Sequence, residues 1–265
     1  GRLYASPQVD LLHTDIYGEI FKRIDEYSNQ IDGLTSEEIT SSIINSLSIL
    51  SSKIDLLSND EIVVEINKIL DKLDNYIDIL SDQEITNIIN ESINLLDKLV
   101  NKLSSNQLYN IVYQVLDDIT KVVDRLSGDE LYNILNRSIE TLNKVIDKLN
   151  GEQINNIIEN IMDLIIKVVD KMDGDQLSKI INLIIDNLAT IIDKLDSTQI
   201  ADLISNIVNS LIKIIDKIDK EQLYKILKNT LKILNSIIDK ISAKELENIY
   251  KKVLEVFNKI VSKLT

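Results

Sequence analysis

The sequence repeats one 23-residue unit, and that period constrains the fold more than any other property. The unit is clearest as SSNQLYNIVYQVLDDITKVVDRL, from Ser104 to Leu126. Copies begin at Thr35, Ser58, Ser81, Ser104, Ser127, Asn150, Asp173, Asp196, Asp219 and Ser242, so ten of them fill 35–264. A regular period of this size marks a tandem array, in which each unit buries its apolar face only against its neighbours.

With the opening polar residue taken as position 1, apolar residues recur at positions 5, 8, 9, 12, 13, 16, 19, 20 and 23. At about 100° per residue these positions cover one arc of roughly 140°, the signature of an amphipathic helix. Strand-like alternation is absent. One helix running through all copies would rotate its stripe by roughly 140° at every repeat and never face a constant partner. The sequence also stops the helix at each junction. Ser104 with Gln107, Ser127 with Glu130 and Ser242 with Glu245 form capping boxes, which satisfy orphan amides at a helix start. Gly128, Gly151 and Gly174 occupy position 2, where a tight turn is expected. Each copy therefore reads as one helix of about 20 residues joined to the next by two or three.

Connections that short predict antiparallel neighbours. The expected fold is all-α: a solenoid or superhelical array of about eleven antiparallel helices, with a 46-residue hairpin as its unit. Position 12 supports the hairpin period, reading Ser46, Ile69, Ser92, Val115, Ser138, Ile161, Ile184, Ile207, Thr230 and Val253. Small polar residues there leave two readings open, internal space or close helix approach. Residues 1–11, which hold the lone proline Pro7, read as an N-terminal arm. Residues 12–265 read as a single helical-repeat domain, of which 12–34 form a degenerate capping helix with Ile16, Ile20, Ile24, Tyr27 and Ile31 on its apolar positions.

The two flanks of the arc give the array a direction. Positions 8, 12 and 19 form one flank. At the beginning it is polar, with Glu19, Arg23 and Gln30 and then Ser42, Ser46 and Lys53. Positions 9, 13 and 20 form the other, and at the end it stays apolar, with Leu227, Leu231, Ile238, Tyr250, Leu254 and Val261. The expectation is a polar cap at the start and an apolar interface at the C-terminal end.

Composition narrows the chemistry. The hydrophobic fraction is 44%, aromatics are 4% and Trp is absent, so the core is aliphatic. The net charge of −14 opposes binding to nucleic acid and to anionic membranes. No cysteine is present, which excludes disulfides, thiolate metal sites and cysteine nucleophiles. No apolar run is long enough for a transmembrane segment. Gly1 in place of Met, the missing cysteines and the sequons at Asn90 and Asn136 favour secretion as the expected localisation.

The lone His13 stands beside Asp10, Thr14 and Asp15 without further ligands or a nucleophile, and reads as an exposed residue near a helix start. Position 21 is Asp55, Asp78, Asp124, Asp147, Asp170, Asp193, Asp216 and Asp239. These carboxylates oppose the helix macrodipole. They read either as junction contacts to the next helix or a neighbouring lysine, or as a cation ladder. Tyr109, Tyr113, Tyr132 and Tyr224 lie at or near the arc's rim, as a core border or a surface aromatic stripe. No phosphate loop, metalloprotease or hydrolase motif occurs, so neither catalytic nor cofactor residues are expected. The chain reads as a non-enzymatic structural or interaction protein that binds a protein partner or self-associates. The alternative is a carrier of lipid or another apolar ligand between its helices.

Overall fold

A computed structural model describes Ile16, residues 18–24, Glu26 and residues 34–264. Ten α-helices follow the ten copies: α1 (Ser36–Ser52), α2 (Asn59–Tyr76), α3 (Asp82–Leu99), α4 (Ser105–Val122), α5 (Gly128–Val145), α6 (Gly151–Val168), α7 (Gly174–Ile191), α8 (Ser197–Ile214), α9 (Lys220–Ile237) and α10 (Ala243–Leu264). Residues 18–24 are also helical, and no strand occurs among the described residues. His13, Tyr27, Gln30 and Ile31 lie outside them. The chain divides into two compact units, residues 1–119 and 120–265.

Every one of the ten helices starts with a reciprocal capping box. At α5 the Glu130 amide donates to Ser127 Oγ at 3.2 Å, and the Ser127 amide donates to Glu130 Oε1 at 3.1 Å. The pairing follows charge. Where the cap is Asp173, Asp196 or Asp219 the partner is Gln176, Gln199 or Gln222. Where it is Thr35, Ser58 or Ser81 the partner is Glu38, Glu61 or Glu84. No box sets two carboxylates together, so each helix start gains at most one anion from its box, where the dipole favours it, without like-charge repulsion.

The interior confirms the apolar arc. In α6 and the turn that follows it, Ile154, Ile157, Ile158, Ile161, Met162, Ile165, Val168, Val169 and Met172 are all buried. Each such aliphatic side chain contributes about 1.5–3 kcal/mol. Position 15 is buried as well, although it lies outside the predicted arc: Leu95, Thr141, Leu164, Asn187, Ser210 and Val256 all point inward. The position-12 hydroxyls of Ser92, Ser138 and Thr230 are satisfied within their own helices, with Ser92 Oγ donating to Ile88 O at 2.8 Å and Thr230 Oγ1 to Ile226 O at 2.8 Å. Among residues 18–24 the buried side chain is Phe21, whereas Ile16 is exposed and Ile20 and Ile24 are half-buried. There the larger aromatic surface displaces the aliphatic frame.

Connections are longer than two or three residues. Five residues, such as Val123–Ser127, separate successive helices, and six separate α1 from α2. The α-helix stops at position 19, and positions 20–23 form a tight turn or a short 3-10 segment, as at Ile146–Lys148 and Ile192–Lys194. The apolar residues at positions 20 and 23 anchor this turn in the core, so the hydrophobic pattern outruns the helix. Most helices are 18 residues, or about 27 Å.

Within the units, helices pack on their second neighbours in sequence. In the first unit α1 packs on α3 in parallel, with Thr40 Oγ1 donating to Glu84 Oε2 at 2.9 Å near the helix starts and Lys98 Nζ donating to Ser51 Oγ near the ends. In the second unit α5, α7 and α9 form one such layer and α6, α8 and α10 the other. Gln176 Nε2 donates to Asp129 Oδ1 at 2.7 Å and Asn229 Nδ2 to Asn182 Oδ1 at 3.4 Å, which fixes a parallel register along the first layer. The five-residue turns return the chain between layers, so sequential helices are antiparallel, and the array is an all-α helical repeat.

The glycines at position 2 serve close approach rather than a turn. A Cβ on Gly128 would sit 2.0 Å from Lys171 O, one on Gly151 2.3 Å from Lys194 O, and one on Gly174 2.2 Å from Lys217 O. None of the three has a positive φ. The helix start of one copy presses on the turn that closes the next copy, and only hydrogen fits between them. At the same position in α2, Asn59 Nδ2 instead donates to Lys102 O at 3.0 Å.

Candidate interaction face

The second unit ends in an uncovered apolar face on α9 and α10. Equivalent positions of the repeat establish this directly. In α8 and its turn, Ile204, Val208 and Ile215 at positions 9, 13 and 20 are 2%, 0% and 3% exposed. In α10 the same positions are Tyr250, Leu254 and Val261, at 40%, 60% and 57%. Chemistry is nearly constant between the two sets; what differs is that α8 is covered by α10 along its layer and α10 is open. Leu254 and Val261 are one and three turns from Tyr250 along one helix face, and Phe257, also exposed, falls between them. Phe257 was not anticipated, because position 16 lies at the middle of the arc and is buried elsewhere, as at Ile165, Leu188 and Leu211.

On α9 the picture is graded. Leu227 is 2% exposed and belongs to the core, which corrects its assignment to the interface. Its angular position on α9 turns it inward, away from the open edge. Leu231 is half-buried, Ile238 is exposed, and Tyr224 is the most exposed large apolar side chain of the helix. Tyr224, Leu231 and Ile238 are spaced by seven, so they line up along one edge.

The four tyrosines form no continuous stripe. Tyr109 and Tyr113 belong to α4 in the first unit, with ring centroids 5.9 Å apart. Tyr132 and Tyr224 lie in the second unit on α5 and α9, separated by α7, whose position 6 is the buried Ser178.

The helix ends are completed by lysines from two copies on. Lys171 Nζ donates to the carbonyls of Val123 at 2.6 Å and Leu126 at 3.0 Å. Lys194 does the same to Ile146 at 2.7 Å and Leu149 at 3.4 Å, and Lys217 to Val169 and to Met172 at 3.3 Å. A cation thus sits on the carbonyl-rich end of the helix, where the macrodipole is negative. The position-21 carboxylates are all exposed. Asp193 accepts from Lys240 at 2.6 Å, a lysine contact of the kind expected. Among the described residues no group of three or more acidic or histidine side chains is placed to hold a metal ion. Position 22 is Leu56 and Ile79 in the first two copies, and both are exposed.

Beside the position-12 Ser92 the internal space is small. In the first unit Leu47, Ile66, Ile69, Leu70, Ser92 and Val115 surround an apolar gap of about 10 Å³, too small for more than a single water. A polar groove of about 530 Å³ lies on α6, α8 and α10, bordered by Glu159, Asp202, Asn206, Asn248 and Lys252. No described helix is long and apolar enough to cross a membrane.

No protein-family model matches the sequence, and no curated protein matches it. Among solved structures, one similar chain is described as "Computational Design of Self-Assembling Cyclic Protein Homooligomers", at 12% identity over 97% of this chain and 99% of that one, with a TM-score of 0.24. Another is BtubC (BKLC) from P. vanneervenii, at 10% identity over 97% of this chain and 92% of that one, with a TM-score of 0.34. Both scores are too low to carry a shared topology.

Proposed function

We propose that the chain is a non-enzymatic interaction protein whose binding surface is the terminal face of α9 and α10. One observation carries the proposal: repeat positions sealed in α8 stand open in α10. An apolar surface of this kind is stable in water only at a cost, at about 25 cal/mol for each Å² left uncovered, and contiguous exposed apolar patches mark interaction sites. The occupant is a helix laid along the open edge. Self-association through this face is the homotypic form of the same reading.

The test is binding of a labelled helical peptide with a Leu/Ile stripe and uncharged flanks. Wild-type protein should bind it, and a Leu254→Glu, Val261→Glu double variant should lose binding. Ile79→Glu, which changes an exposed apolar residue of the first unit, should not. Equal binding by the double variant and wild type would overturn the assignment of the face. Sedimentation over a concentration series reads the homotypic form with the same variants.

A further inference from the structure

The charge of the chain is not spread evenly. From Asp219 to Thr265 there are ten lysines against six acidic residues, whereas the preceding 218 residues carry 19 basic against 37 acidic. The last two helices are a positive end on an acidic body.

The lysines also fall on the open side. Position 10 of α7, Asn182, meets α9 through Asn229, so position 10 faces the following helix of its layer. The equivalent residue of α9 is Lys228, which faces outward from the end, with Lys232 one turn on and Lys225 one turn before. All three are exposed. Positions 10 and 14 are Asn136 and Glu140 in α5, and Asn182 and Asp186 in α7. The sign therefore changes only in the last helix of that layer. On α10, Lys251 stands beside Tyr250 and pairs with Glu247 at 3.2 Å. Glu221 and Asp239 keep acidic groups at the two extremities of α9, so the positive charge is concentrated along its middle turns.

Building on the docking role just proposed, we infer that the occupant is an amphipathic helix of another protein whose apolar stripe is flanked by carboxylates in its central turns. Buried apolar contact supplies the affinity, and the lysine rim selects the partner and its register. A second copy joined head to tail fits poorly. Its leading surface is polar, with Glu19 and Arg23 exposed, and its first two copies carry Leu56 and Ile79 where every later copy carries Lys or Arg. A second copy joined tail to tail sets two lysine-rimmed faces against each other. An anionic membrane is opposed by the acidic body of the chain.

The experiment uses the full chain and three labelled 23-residue peptides that share one Leu/Ile stripe, with Glu, Gln or Lys at the flanking central positions. Fluorescence polarisation at low ionic strength should rank them Glu, Gln, Lys, with the first and last about tenfold apart or more. High salt should close the gap, and Lys228→Glu with Lys232→Glu should invert the order at unchanged melting temperature. Equal affinities for the three peptides overturn the charge reading and leave the docking role standing. Failure of every peptide to bind overturns both. A wild-type dimer that Leu254→Glu dissociates and that excludes the peptides overturns the inference in favour of a second copy. Capture by phosphatidylserine vesicles, with no preference among peptides, overturns it in favour of lipid.

Discussion

Replacing Gly128 by Ala should destabilise the protein, although the same change at the start of an ordinary helix stabilises it. Alanine restricts the unfolded chain and favours the helix, a gain of about 0.4–1 kcal/mol where the native backbone accepts it. Here the new methyl meets Lys171 O at 2.0 Å and Lys171 C at 2.9 Å. Both are backbone atoms, so no flexible side chain can swing away. The two segments must part by more than about 1 Å, an overpacking cost of about 1–3 kcal/mol. Moving the turn also stretches the Lys171 bonds to Val123 O and Leu126 O, each worth at most about 1.5–3 kcal/mol as a charge-assisted bond and less where partly solvated. The expected net effect is a loss of about 1–3 kcal/mol.

Urea denaturation followed by helical circular dichroism measures this. Repeat arrays can unfold in sections, so amide exchange at Leu131 and Leu126 should be followed as well, and should accelerate before distant copies respond. Gly18→Ala is the control, since nothing lies within 4 Å of the methyl it would add, and it should be neutral or slightly stabilising. A Gly128→Ala protein with an unchanged or higher urea midpoint would refute the close-approach account and return these glycines to a propensity role.

The same glutamate substitution should have opposite consequences at one repeat position in two helices. Val208→Glu buries a charge in α8 and should cost about 3–5 kcal/mol, whereas Leu254→Glu in α10 should change stability by less than about 0.5 kcal/mol; thermal melts of the two variants decide it. Lys217→Met keeps the aliphatic stem and removes the ammonium from the Val169 and Met172 carbonyls, with an expected loss of about 1 kcal/mol and faster exchange confined to the α6–α7 turn. The Glu84 carboxyl is held below its ordinary value of 4.5, chiefly by the Ser81 amide and further by the Thr40, Ser81 and Ser36 hydroxyls, against a smaller opposing effect of burial. Because the folded value is the lower one, this contribution is complete above 4.5 and disappears as pH falls through the folded value. Glu84→Gln keeps the capping box, as Gln does in α6 to α9, and should flatten the decline in urea midpoint below pH 4.5.

Local features were legible in the sequence because local chemistry decides them. The caps, the helix count and the apolar arc all depend on residues within one copy, and the periodicity states them ten times. Position 15 escaped because Asp118, Thr141, Asn187 and Ser210 occupy it, and a polar average hides a buried site. The role of the glycines escaped for another reason. Their partner is a carbonyl 43 residues away, as Gly128 is from Lys171, and a glycine chosen for close approach looks the same in sequence as one chosen for a turn. The terminal face was legible in outline through its flank, but its membership was not: Leu227 is covered and Phe257 is open.

The contacts between copies explain why the two ends differ. Position 22 reaches back two copies and position 2 presses forward on the next turn, so neither contact is reciprocal. The first two copies carry Leu56 and Ile79 at position 22, whereas every later copy carries Lys or Arg there. The last two copies keep an exposed apolar flank at Ile238, Leu254 and Val261, and α9 alone in its layer places lysines on the outward positions 10 and 14. Polar residues occupy the flank of the first helix, with Glu19 and Arg23, and would serve equally on α9 and α10. The flank instead keeps Leu231, Ile238, Leu254 and Val261 and changes only the charge beside them. On the reading proposed above, a surface that retains its hydrophobic stripe while reversing its rim would select a foreign acidic helix over another copy of the repeat.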